Sequence, residues 1–399
     1  MKRFISVFLV LCFAVLPIFA EQARFDRDFL LYIRARNEKE NYVVSPLSFR
    51  TALMLAVEGA DGTTHAQLLS AMSFASEEEM LKWYAAVRES VEFFGDWAER
   101  QAQTAREAAQ NRRQGKAPEV TDHAYRVLNS VWNNADSFGS FLPGYTRSVA
   151  ERYAAAADSV PADRITDAVN RWCDESTGGL IPRISDDLSG CAAALINAVY
   201  LKSSWVSAFP ETMTGPEDFT DADGKVTRRD MMKAKNRYLY FEDEDTRLIS
   251  VPMNGGLAFI AVLGDDSHWL ADYEAAEPAD VDLWLPKLDT ESAFGKDTLI
   301  QYLKDRGASD AFDANAADFS RMSDSPWYIS DILQKAKIKT DEDGLEAAAA
   351  TMIVLTKGAA LRPEEPQYRE FHANKPFRYY IVTTGTETPL IVFAGQEVR

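Results

Sequence analysis

Three observations predict an α+β fold. Helical periodicity dominates the front of the chain, strand-like runs fill its middle and end, and neither an internal repeat nor a Pro/Ser-rich linker divides it. At 399 residues the chain is long enough for one large domain or two ordinary ones. The missing linker favours one, spanning 21–399.

The N-terminus is set apart. Lys2 and Arg3 precede a nearly unbroken apolar run from Phe4 to Phe19, which ends at Ala20 before Glu21. Residues 1–20 read as a signal peptide, too short for a stable membrane span. The expected product is secreted, extracellular or periplasmic, with no membrane attachment once the segment is removed. The remaining 379 residues carry a formal net charge of −20, because Lys2 and Arg3 leave with the segment. That acidity argues against nucleic acid and anionic membranes as partners. Cys173 and Cys191 remain. Two cysteines are no disulfide scaffold. Buried free thiols are the simpler reading, and a bridge between them stays open.

The elements follow in order. A first helix is expected over residues 24–38, with Leu30, Leu31, Ile33 and Ala35 on its apolar side. Asn41 to Val44 is an apolar step into Ser45-Pro46. Ser48 is a candidate cap for a second helix carrying Leu53, Met54, Leu55 and Val57. Gly59-Ala60-Asp61-Gly62 breaks it, and an amphipathic helix follows from His65 to Met72. Residues 77–112 are helical and highly charged. Their loose basic cluster (Arg100, Arg106, Arg112, Arg113 and Lys116) is interleaved with Glu99, Glu107 and Glu119, as on a solvated face. The period then changes. Tyr125 to Trp132 reads as a strand, and Ala192 to Tyr200 as one covered on both faces. Further strands are expected at Tyr238–Phe241, Leu248–Pro252, Leu257–Leu263, Asp282–Leu285, Phe377–Val382 and Leu390–Phe393. A helix containing Leu299, Ile300, Tyr302 and Leu303 ends at Gly307.

No phosphate loop, dinucleotide fingerprint, His-Glu-x-x-His pattern or nucleophile elbow occurs. His65, His123, His268 and His372 are scattered and read as structural. The chain is therefore expected not to be an enzyme, and no cofactor or metal is expected.

Residues 335–363 are unusual. Lys335 to Lys339 alternates as a strand does, then Asp341, Glu342, Asp343 and Gly344 intervene. Helix propensity claims Glu346 to Ala350 and strand propensity claims Thr351 to Thr356. Read as an extended strand, one face carries Leu345, Ala347, Ala349, Thr351, Ile353 and Leu355, with no charge to desolvate. The other carries Glu346, Ala348, Ala350, Met352, Val354 and Thr356. An alanine-rich surface loop or a short helix fits the same local composition.

The stretch Glu342 to Thr351 resembles the hinge of inhibitory members of the serpin family. Other motifs share that resemblance, in order: Ser45-Pro46-Leu47-Ser48 with Gly59 to Thr63, then Asn170-Arg171-Trp172 with Thr177, Gly179 and Ile181. Asn197, Lys202, Trp205 and Phe209-Pro210 follow, then Leu285-Pro286-Lys287, which resembles the strand beside the hinge. Phe371, Asn374, Pro376, Phe377 and Gly395 complete the set, which spans roughly residues 25–399.

The resemblance implies three β-sheets, about nine helices and an exposed reactive-centre loop at about 344–366. It implies a suicide-substrate inhibitor of a serine or cysteine endopeptidase, whose cleaved loop becomes a strand of the central sheet. Its alternative is a non-inhibitory carrier, chaperone or binding protein. By resemblance, Glu342, Gly344, Leu345, Glu346, Ala347, Ala348, Ala349, Ala350 and Thr351 form the hinge. Ser45, Ser48 and Asn197 line the shutter where the sheet opens. Trp205 marks the breach, and Lys287 pairs with Glu342. The family's count from the hinge glycine places the reactive bond at Gly358–Ala359, with Lys357 and Ala360 as alternatives. Elastase-like, subtilisin-like and trypsin-like targets all fit, and a monomer is expected. Three positions depart from the pattern. Gln334 stands where the shutter often has histidine, Leu345 where a small Thr or Ser is usual, and Arg378 where the signature is apolar.

Overall fold

The computed structural model describes residues 24–111, 123–191, 193–345, 367–386 and 388–399. The signal segment, the basic residues Arg112, Arg113 and Lys116, and the loop from Glu346 to residue 366 lie outside them.

Nine α-helices are present among the described residues: α1 (24–36), α2 (Pro46–Gly59), α3 (Gly62–Ala71), α4 (Glu77–Asn111), α5 (Ala135–Phe138), α6 (Pro143–Tyr153), α7 (Ile165–Ser176), α8 (Trp269–Ala275) and α9 (Lys296–Asp305). The strands are β1 (Tyr42–Val44), β2 (Ala124–Asn134), β3 (Ala156–Val160), β4 (Ala193–Ser204), β5 (Gly215–Thr220), β6 (Val226–Glu242), β7 (Thr246–Met253), β8 (Leu257–Gly264), β9 (Glu277–Pro286), β10 (Asp289–Phe294), β11 (Asp331–Lys339), β12 (Gly344–Leu345), β13 (Arg369–His372), β14 (Phe377–Thr383) and β15 (Ile391–Glu397).

The strands form two sheets among the described residues, where the resemblance implied three. One runs β1-β15-β14-β8-β7-β6-β9-β13, with β5 on β6. The expected pair of smaller sheets is fused because β6 is long. Its Met231–Tyr240 stretch pairs with β9, and its Leu239–Glu242 end pairs with β7. The other sheet runs β10-β11-β4-β2-β3, with β12 on β4. A second correction concerns Leu285-Pro286-Lys287. Leu285 and Pro286 close β9 of the nine-stranded sheet, and the strand beside β11 is β10. Lys287 lies on the short link between them.

Burial explains the apolar run of β4. Ala193 and Leu195 face the cluster that contains α2, whereas Ala194, Ile196 and Ala198 face Ile165, Val169 and Cys173 of α7. A strand covered on both faces needs apolar residues at successive positions. Helix α2 is buried along nearly its whole length behind β2 and β4. Its start is fixed by Pro46 in the first turn and by Ser45, whose Oγ accepts from Ser48 N at 3.1 Å. Cys173 and Cys191 are both free and buried, and burial pushes their thiols up to about 12 and about 11.

Candidate functional site

The site is a place where the six-stranded sheet parts. β4 and β11 run parallel and pair at five positions, from Asp331 opposite Ala194 to Lys335 opposite Ala198. Both strands continue beyond that point, to Ser204 and Lys339, yet no ladder pair joins them there among the described residues. At the top, β12 lies between them. Gly344 and Leu345 pair antiparallel with Ser204 and Ser203, and Leu345 also bridges Thr340 at the end of β11.

The turn that delivers β12 is built from the acidic run. Asp341 Oδ1 accepts from the backbone N–H of Asp343 at 2.9 Å and of Gly344 at 3.1 Å. Asp341 N donates to Gly344 O at 2.8 Å. This side-chain-closed turn reverses the chain after β11. Gly344 has φ +154°, and a Cβ there would collide with Ser203 O and Ser204 Cα, so only glycine passes. Leu345 is 1% exposed, in the cluster that holds Val199, Leu201, Trp205 and Ile338. The inward face read from sequence therefore holds at its first residue, and the bulky leucine is accommodated rather than excluded.

Trp205 anchors this end. Its Nε1–H donates to Asp341 O at 2.9 Å, its backbone N–H donates to Asp343 O at 2.9 Å, and Phe209 N donates to Glu342 O at 2.8 Å. Edge contacts with Phe209 and Phe259, each at 5.7 Å, hold the indole. Lys287 Nζ sits 2.8 Å from Glu342 Oε2. Burial pushes the Glu342 carboxyl up, but the hydrogen bonds from Lys287 and Thr214 outweigh it and hold the group below its ordinary range. Asp343 goes the other way. Burial raises it first, and the neighbouring charges of Asp341, Glu211 and Glu342 raise it further.

Where the sheet is closed, Asn197 and Gln334 sit opposite one another in a buried network. Gln334 Nε2 donates to Asn197 Oδ1 at 2.8 Å and to Ser45 O at 2.9 Å, while Gln334 Oε1 accepts from Ser45 N at 3.1 Å. Asn197 Nδ2 donates to Ser48 O and to Asn129 Oδ1, both at 2.6 Å, and also reaches Ser48 Oγ. Asn129 in turn donates to Thr51 Oγ1 at 3.0 Å. Every side chain in this network is neutral. It ties α2 to β2, β4 and β11 without a group that titrates near neutrality.

The structure thus brings together Ser45, Ser48, Asn197 and Gln334 at one level, and Trp205, Lys287, Glu342, Gly344 and Leu345 at another. Glu346, Ala347, Ala348, Ala349, Ala350, Thr351, Lys357, Gly358, Ala359 and Ala360 lie outside the described residues. Sequence reasoning missed Asn129, Thr51 and the turn-forming role of Asp341. Asn129 carried a signal: it interrupts the apolar alternation of a strand that pairs with β4, directly opposite Asn197. Arg378 is half-buried, and its guanidinium Nη1 donates to Gly264 O at 3.0 Å, so the departure from an apolar residue is met by a backbone acceptor.

Comparison with known proteins adds three findings. The family model described as "Serpin (serine protease inhibitor)" matches residues 20–398. A serpin-like protein of Methanosarcina acetivorans is 27% identical over 93% of this chain and 85% of its own length. The human leukocyte elastase inhibitor is 27% identical over 90% of this chain and 93% of its own. Among solved structures, the thermophilic serpin tengpin in its native state superposes with a TM-score of 0.73 at 24% identity, covering 95% of this chain and 93% of tengpin. Human thyroxine-binding globulin with its hormone gives 0.75 at 18% identity, covering 96% and 98%.

Proposed function

The chain belongs to the serpin family, and from that premise we propose that it is a suicide-substrate inhibitor of a serine or cysteine endopeptidase. The observation that carries this reading is β12, the start of an additional strand held between edges of β4 and β11 that part above Lys335 and Ala198. Cleavage at residues 357–360 frees the loop from its C-terminal tether. The target's Ser or Cys nucleophile attacks the carbonyl before the cut, the new amine departs, and an acyl-enzyme remains. The segment after Leu345 then follows β12 into the sheet and carries the acylated protease with it. Strand addition gains backbone hydrogen bonds and buried apolar surface. Trapping succeeds when insertion outpaces deacylation. The chain supplies bait and spring, and the catalytic nucleophile belongs to the partner.

The leukocyte elastase inhibitors among the relatives support an elastase-like target, and Ala359-Ala360 suits a small specificity pocket. Lys357 offers a second bait for a trypsin-like enzyme, and Ile353-Val354-Leu355 suits a subtilisin-like one. The signal segment fits an exported inhibitor. A panel of elastase-like, subtilisin-like, trypsin-like and papain-like enzymes tests the proposal. We expect a covalent complex that survives a denaturing gel, with intact mass placing the cut between Lys357 and Ala360. Cleavage of the loop by every enzyme without a covalent complex refutes it. One observation favours a second reading as a carrier: a cavity of about 540 Å³ between α1 and α8, lined by Leu30, Trp269 and Tyr380 beside the Arg34–Asp266 pair. That reading predicts cleavage without trapping.

A further inference from the structure

The ladders on either side of β12 predict the register of the whole inserted strand. In the closed part of the sheet Gln334 stands opposite Asn197, an offset of 137 residues. At the mouth, Thr340 and Ser203 both stand opposite Leu345, and their offset is the same. The two edges have therefore moved apart sideways without sliding, and one register serves both. Continued downward, it sets Glu346 between Lys202 and Lys339, Thr351 between Asn197 and Gln334, and Leu355 opposite Ala193, the first residue of β4.

The strand needs such a guide. Ala347 to Ala350 are interchangeable in shape, and a slip of two residues keeps inward and outward faces unchanged. Packing of the alanines alone does not reject that slip. Charge does. Glu346 is the only charged residue between Leu345 and Lys357. Leu345 and Ser203 face inward together, so Glu346 and Lys202 face outward together. Lys202 is half-buried and Lys339 exposed, and neither ammonium has an ion pair among the described residues. Asp289 stands opposite Lys339 on β10 without pairing to it. At the lower level, the Thr351 hydroxyl can accept from Gln334 and donate to Asn197, replacing the bond those two share in the closed sheet.

Building on the inhibitory reading, we infer that Lys202 and Lys339 form a receiving site for the Glu346 carboxylate, and that this site together with Asn197 and Gln334 fixes the register in which residues 346–355 enter the sheet. The same register caps the inserted strand at Leu355, where β4 ends. Residues after Leu355 then serve as a tether to the acylated protease.

The test uses the full mature chain and a synthetic peptide copying residues 346–355, with annealing followed by native-gel mobility and by the rise in thermal midpoint. The double variant Lys202→Glu/Lys339→Glu is expected to anneal the peptide about tenfold more slowly, the size of two partly exposed ion pairs turned repulsive. A peptide carrying Glu346→Lys is expected to restore the rate in that variant and to be slow with the unaltered chain. Equal rates across all four combinations overturn the inference. Should no peptide anneal, the loop-cleaved chain decides. Glu346→Cys paired with Lys202→Cys must cross-link, and Ala348→Cys with Lys202→Cys must not; the reverse overturns it. Charge discrimination without protease trapping would leave this register standing and sink only the inhibitory reading.

Discussion

Replacing Leu345 with glutamate separates two roles of the first inserted residue. In the intact chain Leu345 is 1% exposed, among Leu201, Trp205 and Ile338. Its burial stabilises by about 2 kcal/mol. Putting an unpaired carboxylate in its place costs several kcal/mol more. The intact chain has a less costly alternative, because β12 is held by two ladder pairs and one bridge and can swing out. Its loss is therefore capped near the docking energy of those two residues, about 2–4 kcal/mol. The thermal midpoint falls by only a few degrees. After cleavage no such escape exists, since insertion has to carry residue 345 inward. A barrier raised by about 3 kcal/mol slows insertion on the order of 100-fold, and deacylation wins. The assay is the ratio of covalent complex to cleaved inhibitor after reaction with a protease that the unaltered chain traps. Leu345→Glu is expected to give cleaved product almost entirely, with little change in intact stability. A complex fraction equal to that of the unaltered chain would refute the reasoning.

The remaining predictions rest on the same geometry. Ala347→Glu, whose partners in register are the buried Leu201 and Ile338, should convert trapping to cleavage, whereas the outward Ala348→Glu should be milder; equal ratios of complex to product would contradict the alternation. Cleavage within residues 354–360 should raise the thermal midpoint sharply, as calorimetry of intact and cleaved protein would read, and equal midpoints would favour a carrier. Gln334→His should make the shutter titrate, so that the midpoint difference from the unaltered chain changes between pH 5.5 and 8; a constant difference would place the histidine outside the network. Asp343→Asn keeps the backbone acceptor for Trp205 and removes a charge the fold disfavours. Because the folded-state pKa of Asp343 is raised, its ionisation costs stability above that pKa and the cost vanishes as pH falls through it. The variant should be more stable at pH 7 by under about 1 kcal/mol, given solvent screening, with the gain gone at acid pH. Denaturant unfolding at both pH values checks it.

Much of this was legible in the sequence, and the limits have physical causes. The alternation in β11 and the apolar run of β4 report burial directly, so both strands were found nearly where they lie. The hinge was legible only through its motif, because alanine supports helix and strand alike. That Leu345 is already inside the sheet depends on Gly344 and the Asp341 turn, a tertiary fit that no window reveals. The fusion of two small sheets turns on where β6 changes partner from β9 to β7, which is a matter of register rather than propensity. Arg50 was invisible as a core residue. It is fully buried on α2, ringed by Phe25, Phe74 and Trp83 within 4.7 Å, and its guanidinium lies 3.6 Å from Asp26. Glu397 reads as part of a solvated tail, yet it is 2% exposed and holds Arg229, Thr290 and Asn41.

The position of β15 has a consequence for biosynthesis. This last strand lies between β1 and β14 and is buried throughout, and β1 pairs with no other strand among the described residues. Asn41 and Glu397, 356 residues apart, share a hydrogen bond of 2.7 Å. Translation delivers the N-terminus first, so the first strand waits for the last and the nine-stranded sheet stays open until elongation is nearly over. The loop, residues 346–366, emerges before β15 does. A ribosome that stalls between the two gives the uncut loop time to fill the six-stranded sheet by itself, and such a molecule has released its spring before meeting a protease. We therefore expect the competent fraction to depend on codon speed over the final segment. Synonymous slow codons after residue 366, with protease titration of the purified product, measure it; an unchanged active fraction would show that the sheet closes only after release.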